Sequence, residues 1–265
     1  MLSELKAAWA AGSDDNITLI AAGIAHYALL ALVPALGALV LGYGLFADPA
    51  TVSDHIQGLS SSLPSSAADI ITEQLRNVSQ GADSAKGLGL LASLAVAIFG
   101  ARNGARALMT GLNIAFHAGE QRGFVKGNLV ALAITIAMIV GLVLLGGVTT
   151  ALSVIGGLVG TVVSFVVLAL AATGGAALLY RYAPNKPSPA WSAIVPGAIL
   201  FAVGWIAATA GFAFYASNFG SYNATYGSLG AVVVLITWFY VSALVLLLGA
   251  ELASVKAKSN KAVAA

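Results

Sequence analysis

Charged positions in this chain are confined to short segments, and the apolar intervals between them set the elements. No Asp, Glu, Lys or Arg occurs from Asn16 to Ala47, from Gly127 to Tyr180 or from Pro187 to Ala250. At about 20 residues per membrane helix, these intervals hold one, two and two spans. A fourth apolar stretch, Gly87 to Ala101, reaches full length only by continuing through Arg102, Asn103 and Arg106. The pattern predicts an all-α, polytopic membrane protein, a single domain of six transmembrane helices over approximately residues 16–46, 87–116, 128–152, 158–180, 191–216 and 227–254.

Local signals place the ends of these elements. Asp14, Asp15 and Asn16 are side chains that cap the free N–H groups of a helix start, and Asp48-Pro49 closes the first span because proline cannot continue helical hydrogen bonding. Residues 47–86 form the long hydrophilic segment, expected as a helical external loop between the first and second spans. Within it Ile70, Ile71, Leu75 and Val78 recur at helical spacing, as Val52, Ile56 and Leu59 do more weakly. Gly156-Gly157 marks a turn between the third and fourth spans. Ahead of the first span, Leu2, Leu5 and Trp9 make one helical stripe, which suits either a short interfacial helix or a frayed terminus.

Composition agrees with a lipid environment. Of 265 residues, 59% are hydrophobic and 8% charged, too few charges to clothe a water-facing surface. The net charge of +2 is spread along the chain and makes no concentrated basic patch, so no nucleic-acid partner is expected. The lipid bilayer itself is the expected partner, together with an unidentified small solute, ion or lipid, and self-association is left open. With no cysteine, disulfides and thiolate chemistry are excluded. No removable signal peptide is read at the N-terminus.

Basic residues fix an expected orientation. Arg122 and Lys126, Arg181 and Lys186, and Lys256, Lys258 and Lys261 all fall on one side of a six-span chain. Cytoplasmic loops carry the excess of Lys and Arg, so both termini are expected in the cytoplasm of a bacterium, with the protein multi-pass in the inner membrane.

Few residues offer chemistry. A charge at membrane depth is costly and normally faces protein or water with a partner, so Arg102 and Arg106, on one face of the second span, are the first candidates for substrate binding or gating. Asn103 and Asn113 add polarity to that helix, and Glu251, at the end of the last span, is expected to pair with Arg102 or Arg106. The alternative is that the arginines snorkel to the headgroups and Glu251 is interfacial. His26 and Tyr27 lie near the middle of the first span, where a histidine either relays protons or simply bonds a neighbouring helix. Pro34 further on would kink that helix and free carbonyls, with or without a functional consequence. Tyr222, Asn223, Tyr226 and Gly227 sit at the outer mouth of the last span, where tyrosines commonly anchor at the interface. Gly100 and Gly104 form a small-xxx-small pair suited to close helix packing. No metalloprotease, serine-hydrolase or phosphate-loop motif occurs, so neither a cofactor, a bound metal nor an enzymatic activity is expected.

Three stretches carry a family resemblance: AHYALLALVP at 25–34, ALMTGLNIAF at 107–116 and YNATYGSLGAVVVLITWFYVSALVLLLGAEL at 222–252. Through them the chain resembles the YihY/BrkB family, in places labelled ribonuclease BN. The resemblance implies a six-helix inner-membrane protein associated with envelope or virulence phenotypes and suggested transport roles. The expected function is a transporter-like permease for a small solute, ion or lipid-linked anion, its polar cavity lined by spans one, two, five and six. The alternatives are a non-transporting envelope or virulence-associated interaction protein working through the 47–86 loop, and, less in keeping with the residues, a ribonuclease.

Overall fold

A computed structural model describes residues 2–46, 83–119, 122–153, 157–218 and 228–264. Among these residues the fold is wholly helical: α1 (Leu2–Asp14), α2 (Ile17–Phe46), α3 (Asp83–Ala115), α4 (Phe124–Ser153), α5 (Gly157–Tyr182), α6 (Trp191–Asn218) and α7 (Ser228–Ala264). The expected helices of the 47–86 loop, up to residue 82, and the outer-mouth group Tyr222, Asn223, Tyr226 and Gly227 lie outside the described residues.

Among the described residues, three helical stretches are long and apolar enough to cross a bilayer on their own: Val159–Tyr182, Trp191–Phe214 and Val232–Asn260. Their large apolar side chains, such as Val159, Val162, Phe165 and Leu170 on α5 and Val203 and Phe214 on α6, stand outward. In water such a surface would be strongly unfavourable, whereas lipid tails solvate it. A fourth candidate is the pair Leu2–Asp14 and Ile17–Leu32, bent by 69°.

Order in the bundle comes from small residues. α2 and α3 run antiparallel, with Gly100 against Ala31, Gly104 against Tyr27 and Gly111 against Ile20, so each step up α3 is matched by an equal step down α2. A Cβ at Gly100 would lie 2.9 Å from the Ala31 Cα, which shows how close the backbones come. α6 and α7 are also antiparallel. Gly197 meets Gly249, Gly204 meets Val245, and the Trp205 and Trp238 indoles donate to Ser242 and Thr209 at 3.1 and 3.3 Å. Successive contacts link α2 to α3, α3 to α4, α4 to α5, α5 to α6, α6 to α7 and α7 back to α2, so the six long helices follow one another around a ring.

The buried core gathers at one end of this ring, around Leu112, Phe116, Tyr180, Ile194 and Leu247. There the Tyr180 hydroxyl donates to the Leu246 carbonyl at 2.6 Å. Basic side chains finish the same end. Lys186 donates to the Phe116 carbonyl at the close of α3, and Arg122 donates to the Ala183 and Pro184 carbonyls just after α5. Cations placed on the free carbonyls of helix C-termini are favoured by both hydrogen bonding and the helix dipole. Arg181 stacks 4.7 Å over the half-exposed Trp191 ring, an arrangement suited to a membrane–water boundary.

α1 is a formed helix rather than a frayed end, and it packs on α7. Ala8 and Gly12 form its buried face, while Leu2 and Trp9 are 78% and 63% exposed. Two of the three residues of the apolar stripe read in the sequence, Leu2 and Trp9, therefore point away from the protein, as an interfacial helix requires, while Leu5 is partly buried. Asn16 separates α1 from α2. Its φ of 55° lies in the left-handed region that Asn tolerates better than most residues, its side chain donates to the Asp14 carbonyl, and its own carbonyl accepts from Leu19 and Ile20 as α2 begins.

Candidate functional site

Two polar centres emerge, and they separate residues that the sequence placed together. In the first, Arg102 of α3 is half-buried and donates to Asn128 of α4 at 2.7 Å, with a longer contact of 3.5 Å to the neighbouring Asn103 side chain. Both partners are neutral amide oxygens. Among the described residues no carboxylate lies within ion-pair distance of Arg102. Asn128 is the fifth residue of α4, and the free N–H groups of a helix start add positive potential there.

The expected pairing of Glu251 with Arg102 or Arg106 is not formed. Leu247 of α7 packs at Gly111 of α3, and Lys258 reaches His117 just past the end of α3, so the two helices run in the same direction. Glu251, one turn beyond Leu247, is therefore level with about Ala115. Arg102 lies 13 residues earlier, roughly 20 Å away along the helix at about 1.5 Å per residue. Arg106 is exposed and also far above Glu251. The arginine centre consequently sits between the second and third expected spans, not between the second and the last.

The other candidates lie on α2 and α3. His26 is exposed, its ring edge-on to Tyr27 at 5.7 Å. Tyr27 packs beside Gly104. Pro34 lies within α2. Asn113 is buried, and its side-chain oxygen accepts from the Asn185 backbone N–H at 2.7 Å, joining the end of α3 to the 183–190 connection.

The second centre surrounds Glu251, which is fully buried at the α1–α2 break beside Gly12. Asp15 approaches it from that break. Asp15 Oδ2 is 3.9 Å from His117 Nδ1, and His117 Nε2 is 3.1 Å from Lys258 Nζ. His117 occupies the left-handed position closing α3, with φ of 51°, in a paired-bond terminus where its own N–H reaches Ile114 and that of Ala118 reaches Asn113. Glycine is the usual occupant of that position. Its Nδ1 also contacts the Ile114 carbonyl at 3.2 Å, which assigns the proton to Nδ1 and leaves Nε2 to accept from the Lys258 ammonium.

Asp15, His117 and Lys258 were not selected from the sequence as partners of Glu251. The usable signal was the small pair Ala8 and Gly12, spaced to let a helix lie close to another backbone, but nothing in one sequence says that α7 is the surface it meets.

Outward apolar helices, a lipid-facing stripe on α1 and cations gathered at one end of the bundle define a helical membrane protein. The chain belongs to the virulence factor BrkB family, whose family model matches residues 8–264. It is 31% identical over 261 residues to YfkH of Bacillus subtilis strain 168, named a ribonuclease-like protein, covering 91% of this chain and 90% of that relative. It is 29% identical over 261 residues to a UPF0761 membrane protein of Pseudoalteromonas translucida, covering 93% and 83% of the two chains. Another UPF0761 membrane protein, from Alteromonas mediterranea, is 29% identical over 252 residues, 90% of this chain and 82% of the relative. No solved structure matches the chain.

Proposed function

We propose that this protein is a six-span permease of the bacterial inner membrane that carries an anionic solute or a lipid-linked anion, with Arg102 as the binding residue. The observation that carries this reading is the state of the Arg102 guanidinium, held at 2.7 Å by an amide oxygen of Asn128 and left without a carboxylate among the described residues. An arginine at membrane depth whose charge is oriented but not neutralised suits a ligand that brings the negative charge itself. The adjacent start of α4 and Lys126 add positive potential to the same region. Both termini lie in the cytoplasm in this reading, supported by the grouping of Arg122, Lys186 and Lys258 at one end.

The word ribonuclease in one relative's name gains no support from side-chain placement: among the described residues no three His, Asp or Glu side chains are grouped to hold a metal ion. The test is flux in proteoliposomes over a panel of organic anions and inorganic cations, comparing the native chain with Arg102→Ala, Arg102→Lys and Asn128→Ala. An anion-dependent current abolished by Arg102→Ala and weakened by Asn128→Ala is expected. A current carried by cations, or one indifferent to Arg102, overturns the reading.

A further inference from the structure

Glu251 has both carboxylate oxygens buried and without a hydrogen-bond donor. The Asp15 carboxyl lies within side-chain hydrogen-bonding reach of it, and Asp15 Oδ2 is likewise buried and without a donor. Ionised carboxylates only accept, so two facing each other satisfy neither. A buried carboxylate calls for a cationic partner, a metal ion or a proton, since leaving the charge bare in a low-dielectric site is very costly.

The cations nearby are engaged elsewhere. Lys256 donates to Glu4 at 3.0 Å, and Lys258 contacts His117 while acting on Glu251 only through space. The remaining groups on the surrounding elements do not meet the need. α1 offers Lys6 and Asp14, which are exposed, and α5 offers Tyr180, whose hydroxyl already donates to Leu246. The nearby His117 does not complete a metal cage, its Nδ1 being directed at the Ile114 carbonyl, and among the described residues no group of three His, Asp or Glu could hold a metal ion.

We propose that Asp15 and Glu251 form a proton-binding site at the α1–α2 break. One proton taken from solvent makes an O–H bond on the more deeply buried Glu251 carboxyl and donates to Asp15 Oδ2, supplying the donor that both lack, and no bond in the protein is broken. A path for that proton is built in. The side chains of His117 and Asp15 are 48% and 24% exposed and Glu251 is 0% exposed, so the three titratable groups descend stepwise from the surface to the buried acid. His117 acts here as the entry group, since its Nδ1 faces Asp15 and its Nε2 faces the surface lysine. The site is separate from the arginine centre, so its failure leaves the anion reading untouched.

Infrared spectroscopy on the full chain in lipid nanodiscs tests this. The sequence contains only four glutamates, Glu4, Glu73, Glu120 and Glu251, so carbon-13 at the glutamate side-chain carboxyl is a sparse label. The native chain at neutral pH should show a protonated-carboxyl C=O stretch that moves with the label. That band should be lost in Glu251→Gln and displaced in Asp15→Asn. The labelled native chain alone decides the matter if a variant fails to fold: labelled glutamates appearing at neutral pH only as ionised carboxylates overturn the proposal.

Discussion

Gly197 and Gly249 face each other across α6 and α7 so closely that each backbone carbonyl occupies the space a Cβ on the other would need. The contact is made of backbone on backbone, so neither helix can yield without losing its register. Gly197→Ala and Gly249→Ala should each lower stability by about 1–3 kcal/mol, the usual cost of over-packing. Gly211→Ala, where nothing lies within 4 Å, should be neutral or stabilising by up to about 1 kcal/mol through helix propensity. Thermal unfolding of the three variants in one detergent checks the ordering.

Tyr180 joins α5 to α7 by a hydroxyl that donates to the Leu246 carbonyl at 2.6 Å and by a ring that packs on Phe116. Tyr180→Phe keeps the ring and should cost about 1 kcal/mol, the net worth of an ordinary hydrogen bond. Tyr180→Ala removes both and should cost about 3–5 kcal/mol, in line with deletion of a buried aromatic side chain. Equal losses in the two variants would mean the hydroxyl, not the packing, holds the helices together.

Arg122 bonds two carbonyls that follow α5, and Lys186 bonds the carbonyl of Phe116. All three bonds cross between the 116–123 and 183–190 connections, so they tie those segments to each other. Arg122→Ala should destabilise by about 1 kcal/mol once solvent screening is allowed for, and should speed amide hydrogen exchange in both connections. Exchange that rises in one connection only would refute the cross-link.

The hydrogen bond from Lys256 holds the Glu4 carboxyl below the usual glutamate range. A carboxyl lowered on folding stabilises the docked state above its ordinary titration and loses that contribution as pH falls through the lowered value. Docking of α1 on α7 should therefore persist from neutral pH through the ordinary glutamate range and loosen only in stronger acid. Because the chain lacks cysteine, Ser3→Cys accepts a single spin label. The label should be immobile at neutral pH in the otherwise native chain and mobile at neutral pH in Lys256→Gln.

Much of the helix layout was legible because charge is so costly in lipid that its absence marks position directly. The intervals ending at Ala47 and Tyr180 fall beside the observed ends of α2 and α5, whereas α7 runs on past Ala250 to Ala264. What could not be read was which faces meet. Asp14, Asp15 and Asn16 have the composition of a simple helix cap, and only burial against α7 reveals that Asp15 turns inward while Asn16 takes a left-handed backbone. Depth counted along one helix likewise put Arg102 and Glu251 in the same cytoplasmic half. Their true separation depends on the stagger of Gly111 against Leu247, which is a property of two helices and not of either sequence. Asn128 carried no signal at all, since a lone amide near a helix start is ordinary.

The contact between Glu4 and Lys256 joins residues 252 positions apart. Translation delivers the first of them long before the second exists. Until the ribosome has released the end of α7, α1 has no surface to receive Ala8 and Gly12, and Glu251 is not yet there to be enclosed. Docking of α1 is therefore a late event that cannot precede the synthesis of α7.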